Sequence, residues 1–282
     1  MNIFKYLVFF FCCTSFAQNA TEKLPVDLNT IFVTIDVESY TKLFENSFVK
    51  DTLFICKSGT TSTNKEDYSG KYLIGNSATI EFFSPMNTSF TGDTFGDAGI
   101  EFKTRKLNQL QLFKSENTKT EITSVTYDSI KLPWYESLTL KLPSPHFEIS
   151  LLEYQKKYLL DLGFTETQIN SEMSYSEYNS IISGGKKYPR KFNKITAVEF
   201  DLEKNEFDYL KKTLLTFGAK LKNKTFVINN VIIKCTIKKR EHFRVKKIEI
   251  SLLENVKNKK IIISKKIKLR TKKNQAVFSF NY

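Results

Sequence analysis

The feature that most constrains this chain is an order of one strand, one helix and three strands that recurs along it. In the first pass the β-branched and aromatic run Thr30 to Ile35 reads as a strand, and Asp36 stands where it can cap a helix. Tyr40, Leu43, Phe44, Ser47 and Phe48 follow at i, i+3, i+4, i+7 and i+8, which gives that helix one largely apolar face. A strand near Thr52 to Lys57, a polar loop of Ser, Thr and Asn, and two strands within Lys71 to Phe83 about a Gly75-Asn76 turn complete the unit.

A second pass opens after the Gly- and Asp-rich segment Gly92 to Gly99, with a strand at Ile100 to Thr104 and a short helical stretch over Lys106 to Lys114. Strands at Ile122 to Tyr127, Trp134 to Leu142 and Phe147 to Tyr154 follow. A Tyr-, Ser- and Gly-rich connector, Gln155 to Asn193, carries a short helix near Thr165 to Met173. The third pass begins with Lys194 to Leu202 and a helix bearing Phe207, Leu210, Leu214 and Phe217, which stops at Gly218. Strands about an Asn229-Asn230 turn, then Val245 to Leu253, close it, and Lys259 to Tyr282 reads as an added basic hairpin. The expected organisation is therefore a leader at 1–17, paired modules at 18–155, a connector at 156–193, a third module at 194–258 and the hairpin at 259–282.

This recurrence, with an Ile-Glu-aromatic strand closing the unit, resembles the glyoxalase or vicinal-oxygen-chelate superfamily. The phrases Tyr72 to Gly75 with Ile80 to Phe83, Gly96 to Ile100, and Leu151 to Tyr154 look like a glyoxalase-like family that contains exported members of unknown activity. The resemblance implies an α+β fold of repeated βαβββ modules whose curled mixed sheets enclose a cup for a small molecule, with a C-terminal β extension and, in many relatives, a divalent metal. It gives as cup candidates Thr30, Phe32, Tyr72, Thr79, Glu81, Phe83 and Glu153.

In metal-dependent relatives the opening strand of a module supplies a His and the closing strand a Glu. Here Glu81 stands in the closing strand, and Glu153 and Glu249 are assigned the same place in their modules. The opening strands offer Asn29 and Thr30, and Gly99 and Ile100, instead of imidazole. A site of Glu81, Glu153 and Glu101 would suit Mg²⁺, Mn²⁺ or Ca²⁺ better than Zn²⁺ or Fe²⁺, because hard cations take oxygen ligands.

The first residues set the compartment. Lys5, the apolar run Tyr6 to Cys13 and the small residues Ser15 and Ala17 have the order of a secretory signal, with cleavage before Gln18. That apolar run is too short for a bilayer-spanning helix, which needs roughly 20 residues. Export is expected, to the periplasm or beyond. After cleavage Cys56 and Cys235 remain, enough for one disulfide or for two separate buried thiols. Charge is uneven: Lys234 to Lys273 holds 16 Lys or Arg against Glu241, Glu249 and Glu254, and its excess equals the +13 of the whole chain. The favoured reading is solvated strand faces and guarded edges; nucleic acid is not an expected partner, and an anionic envelope surface is the alternative.

Other chemistries find less support. His146 and His242 lie in no nucleophile or metal-helix motif, and no Gly-rich phosphate loop is present. Asp93 and Asp97 could hold Ca²⁺, although Gly and Asp together favour turns, and Trp134 with Tyr135 either packs in a core or walls a pocket. The sequence thus supports a small-molecule binding protein first, and a metal-dependent lyase, isomerase or dioxygenase second.

Overall fold

The computed structural model describes residues 26–85, 92–127, 129–140, 146–185, 190–239 and 244–282. The leader and His242 lie outside the described residues. The first unit is β1 (Val26–Thr34), α1 (Val37–Lys42), a π-helical turn (Phe48–Leu53), β2 (Ile55–Ser62), β3 (Asp67–Ile74) and β4 (Thr79–Phe83). The second is β5 (Ala98–Thr104), a 3-10 turn (Leu110–Phe113), β6 (Thr118–Tyr127), β7 (Ile130–Leu140) and β8 (Phe147–Tyr154). Three helices follow, α2 (Lys156–Asp161), α3 (Glu166–Asn170) and α4 (Tyr175–Ile182). The rest is β9 (Phe192–Leu202), α5 (Lys204–Thr216), β10 (Lys220–Lys222), β11 (Thr225–Ile228), β12 (Val231–Ile237), β13 (Arg244–Ile262) and β14 (Ile267–Phe280).

The first two units join in one eight-stranded sheet of order β2-β3-β4-β1-β5-β8-β7-β6. Within each unit the opening strand lies parallel to the closing one, β1 beside β4 and β5 beside β8, while β1 and β5 meet antiparallel at the centre. Ile31 faces Ile100 across that junction, so the two units are related by a local two-fold. The third unit repeats the order as β10-β11-β12-β9 in a six-stranded sheet, with β12 parallel to β9. This is an α+β, glyoxalase-like architecture of curled mixed sheets.

Two sequence expectations change at this level. The third unit closes with β12, and Val245 to Leu253 belongs instead to β13, which pairs antiparallel with β9 and forms one long hairpin with β14. β13 occupies beside β9 the place that β5 holds beside β1, so Glu249 does not correspond to Glu81. The polar Ser, Thr and Asn stretch also belongs largely to a strand: β2 runs on to Ser62 because β3 offers a continuous ladder from Ile55↔Ile74 to Ser62↔Asp67. Pairing overrides its weak apolar signal.

Local signals were sound where the chain decides for itself. Asp36 accepts from Ser39 N at 3.0 Å and caps α1, although that helix ends at Lys42, short of Leu43 to Ser47, and Phe48 opens the π-helical turn instead. Glu203 and Glu206 form a reciprocal capping box at the start of α5, and Gly218 beyond its end has φ +83°.

Strand alternation divides the larger sheet into two faces. Ile31, Val33, Ile80, Phe82, Ile100, Phe102, Ile149 and Leu151 face the second sheet and α5 in one continuous core. Aromatic pairs stitch that core: Phe82 with Phe278 at 5.9 Å between ring centres, Phe54 with Phe278 at 5.8 Å, and Phe102 with Phe217 at 6.0 Å. The opposite face is left for the site.

Part of the basic block is neutralised within the smaller sheet. Lys247 and Lys234 reach Glu199 at 2.9 and 3.2 Å, and Lys238 and Lys246 reach Asp201 at 2.9 and 3.5 Å. Among the described residues no helix is long and apolar enough to cross a membrane.

Candidate functional site

The free face of the larger sheet curls around a cavity of about 890 Å³. The curl almost closes. Just past the end of β2, Thr63 bridges Val125 of β6, Asn64 N donates to Ser124 O at 3.1 Å, and Ser124 N donates to Asn64 Oδ1 at 2.7 Å. These bonds join the two outer strands of the sheet at one point.

Alternation then lines the cavity with Thr30 and Phe32 from β1, Tyr68, Tyr72 and Ile74 from β3, Thr79 and Glu81 from β4, and Glu101 from β5. β7 adds Tyr135, Ser137 and Thr139, and β8 adds Glu148, Ser150, Leu152 and Tyr154. A bulge in β1 at Asn29, where the register with β5 shifts between Leu28 and Thr30, lets Asn29 reach the cavity beside Thr30.

Two carboxyls dominate its chemistry. Glu81 pairs with Phe32 and Tyr72, and Glu101 pairs with Thr30 and, on its other side, Ser150. Burial, with the neighbouring Glu101 adding to it, pushes the Glu81 carboxyl up to about 8. Burial likewise lifts Glu101 to about 8 against a hydrogen bond donated by Asn29 Nδ2, which favours its charged form. Glu148 is raised too, chiefly by burial. At neutral pH Glu81 and Glu101 are therefore mainly carboxylic acids, each able to donate one hydrogen bond.

Of the residues expected to form the cup, Thr30, Phe32, Tyr72, Thr79 and Glu81 line it. Phe83 lies on the same face but is fully buried, behind Phe32 at 6.3 Å and Tyr68 at 5.9 Å. Glu153 is on the other face. With β8 pairing Glu101 to Ser150, the position related to Glu81 by the local two-fold is Ser150, and Glu153 lies an odd number of residues away. Its carboxylate accepts from Asn108 N, Gln109 N and Leu110 N at 2.8, 2.8 and 2.9 Å and from Thr104 Oγ1 at 3.2 Å. It organises the turn ahead of Leu110–Phe113.

The proposed set Glu81, Glu101 and Glu153 is thus not brought together, and among the described residues no three His, Cys, Asp or Glu side chains are grouped to hold a metal. The donor set does not fit the metal centre that the resemblance implies, because the strands beside Glu81 supply Thr30 and Phe32 where imidazole would be needed. Asp97 is used in its own turn, accepting from Thr94 N at 2.9 Å and facing His146 Nδ1 at 3.2 Å. Cys56 and Cys235 are free thiols in different sheets.

The connector supplies what sequence reasoning missed. Ser174 and Glu177 form a capping box that starts α4, and Tyr175, Tyr178, Asn179 and Ile182 then fall at i, i+3, i+4 and i+7 on its cavity side. Tyr178 stacks on Tyr154 at 4.8 Å and 17°, Tyr175 stacks on Tyr178 at 5.8 Å, and Thr79 Oγ1 bonds the Tyr175 hydroxyl at 3.1 Å. Asn179 Nδ2 donates to Gly75 O and Asn76 O at 3.3 and 3.2 Å, which pins α4 to the β3–β4 turn. The Ser-x-x-Glu box followed by tyrosines at helical spacing was the readable signal. Trp134, the chain's one tryptophan, lies in the wall with Tyr135 at 4.9 Å and Tyr158 at 6.2 Å, and its buried Nε1 has no hydrogen-bond partner.

Among solved structures, a xylose isomerase-like TIM barrel/4-hydroxyphenylpyruvate dioxygenase fusion protein is similar to this chain at 7% identity and a TM-score of 0.41. The similarity covers 78% of this chain and 35% of that one, so the chain spans about a third of that protein's length. No curated protein matches the sequence. Residues 28–280 match the family of unknown function DUF5829, and the chain belongs to that family.

Proposed function

We propose that this protein binds a small organic molecule in the cup of its larger sheet. One observation carries the reading: a cavity of about 890 Å³ that combines aromatic rings with many polar side chains, the carboxyls of Glu81 and Glu101 among them. A concave site with aromatic and apolar surface to hold a ligand's body and polar groups to orient it is the usual construction of a ligand pocket. Asn29 Oδ1 and Trp134 Nε1, both buried without a hydrogen-bond partner, are groups that a ligand would satisfy. The reading needs no metal. It also places the binding outside the cytoplasm, supported by the leader-like order of Lys5, Tyr6 to Cys13 and Ala17; a mature N-terminus other than Gln18, found by mass in the producing cell, would remove that part.

Trp134 reports on occupancy directly. Titrating the purified mature chain with a diverse library of compounds, ligands for the cup are expected to shift or quench Trp134 emission and raise the melting temperature. Saturation at a hundredfold Kd adds about 2.7 kcal/mol. Ser137→Phe, which fills the wall, should abolish both responses while the free protein still melts cooperatively. A library that leaves both the emission and the melting temperature unmoved would overturn the reading.

A further inference from the structure

We infer that the cup takes an organic cation, a primary or quaternary ammonium on an aromatic or apolar body, with its charge beside Glu81 and Glu101 and its body against the surrounding rings. The inference rests on the small-molecule reading and names its ligand class.

Glu81, Glu101 and Glu148 line the cavity, and among the described residues no Lys or Arg is within ion-pair distance of any of them. Of the lysines in the lining, Lys65 and Lys119 both reach Glu121, at 3.2 and 3.6 Å, and the exposed Lys57 is the cross-strand partner of Tyr72. Lys103 is buried, and its ammonium donates to Thr104 O and Met173 O at 2.9 and 3.3 Å. Glu81 and Glu101 therefore have no ion-pair partner, while Lys65 and Lys119 act on Glu148.

An independent observation points the same way. Asn29 is only 4% exposed, gives its Nδ2 to Glu101, and leaves Oδ1 as an acceptor with no partner. A ligand N–H beside Glu101 would satisfy it. Phe32 and Tyr72 are cross-strand partners of Glu81, Tyr68 and Tyr135 act on these acids, and Trp134 stands elsewhere in the lining beside Tyr135; aromatic rings attract cations. An anion beside Glu81 and Glu101 would meet two carboxyls, with Lys57, Lys65 and Lys119 elsewhere in the lining.

Glu81 and Glu101 are mainly protonated in the empty cup at neutral pH, and a cation within a few ångströms favours the carboxylate. Binding at neutral pH thus sends a carboxyl proton to solvent and leaves an ammonium–carboxylate pair. The other titratable groups that act on these acids are Glu148 on Glu101, and Lys65, Lys119 and Glu121 on Glu148. Tyr68 and Tyr135 are held above the ordinary tyrosine range by burial and stay neutral.

The test is calorimetry on the mature chain with phenethylamine, benzyltrimethylammonium, 2-phenylethanol and 3-phenylpropanoate, in two buffers of different ionisation enthalpy. The two cations should bind about tenfold or more tighter than the alcohol, with the acid anion weakest. Benzyltrimethylammonium has a fixed charge, so a pH dependence belongs to the protein: its Kd should fall about tenfold from about pH 6.5 to about pH 8.5, with proton release at the lower pH. Glu81→Gln/Glu101→Gln should erase that dependence and keep 2-phenylethanol binding. Alcohol or anion binding as tight as the amines overturns the cation assignment and leaves a small-molecule cup. No binding by either cation overturns it as well, while the library titration judges the broader reading separately.

Discussion

Glu81 and Glu101 flank β1 as cross-strand partners of Phe32 and Thr30 and look into one cavity with no basic side chain paired to either. Each is lifted to about 8. In the unfolded chain a glutamate titrates near ~4.3. The folded protein therefore holds more protons than the unfolded one between those values. The contribution of these two acids to stability should be highest below the unfolded value, fall as pH rises towards about 8, and level off above it, by up to ~1.4 kcal/mol per pH unit for each acid. Urea denaturation at a series of pH values should show the decline, and Glu81→Gln or Glu101→Gln should flatten it. A wild-type minus variant difference that does not change over that window would contradict the placement of both carboxyls.

Glu153 holds the fold together on the other face of the sheet. Its carboxylate holds three backbone amides and one hydroxyl. Glu153→Ala leaves those amides without their acceptor and should destabilise the chain by about 3 kcal/mol or more, measured by chemical denaturation. Ligand affinity per folded molecule should be unchanged. Loss of binding in fully folded Glu153→Ala would put this residue back in the cup.

The seam at Asn64 should matter more for closure than for the core. Asn64→Ala removes the bond from Ser124 N at 2.7 Å and that to Ile122 O at 3.3 Å. A loss of about 1–2 kcal/mol is expected, together with faster hydrogen exchange at the ends of β2 and β6. Exchange that rises across the central strands β1 and β5 instead would show that the seam is not a local device.

Cys56 and Cys235 are free, and burial pushes both thiols up to about 12. Neither should react appreciably with a thiol reagent at mildly alkaline pH in the native protein, because the thiolate is the reactive form. Both should react once the chain is unfolded, and reduction should leave the native mass unchanged. Rapid native labelling at either position would show that its burial is not maintained in solution.

The repeat was legible because each of its signals is local. Thr79 to Phe83 alternates, Asp36 and Gly218 mark helix ends, and Asn229-Asn230 sits in a turn with both φ values positive. Glu81 could be aimed at the cup from alternation alone. Glu153 could not, because its face depends on which residue of β8 stands opposite Glu101, and a slip of one residue inverts every side chain. The role of Val245 to Leu253 failed for the same reason: a strand's composition does not say whether it closes a unit beside β9 in parallel or begins a hairpin antiparallel to it.

The sequence by itself determined the strands and the main helix, their order, and the period-two patterning that gives the sheet an apolar face. Tertiary structure decided which carboxyls share a space. The curl of the eight strands and its seam at Asn64 face Glu81 and Glu101 into one cavity, and the docking of α4 through Asn179 adds Tyr175 and Tyr178 to its wall. Periodicity is a property of neighbours along the chain, whereas register, curvature and desolvation arise between segments far apart in it. That is why the acids were visible in the sequence while their protonation and their common cavity were not.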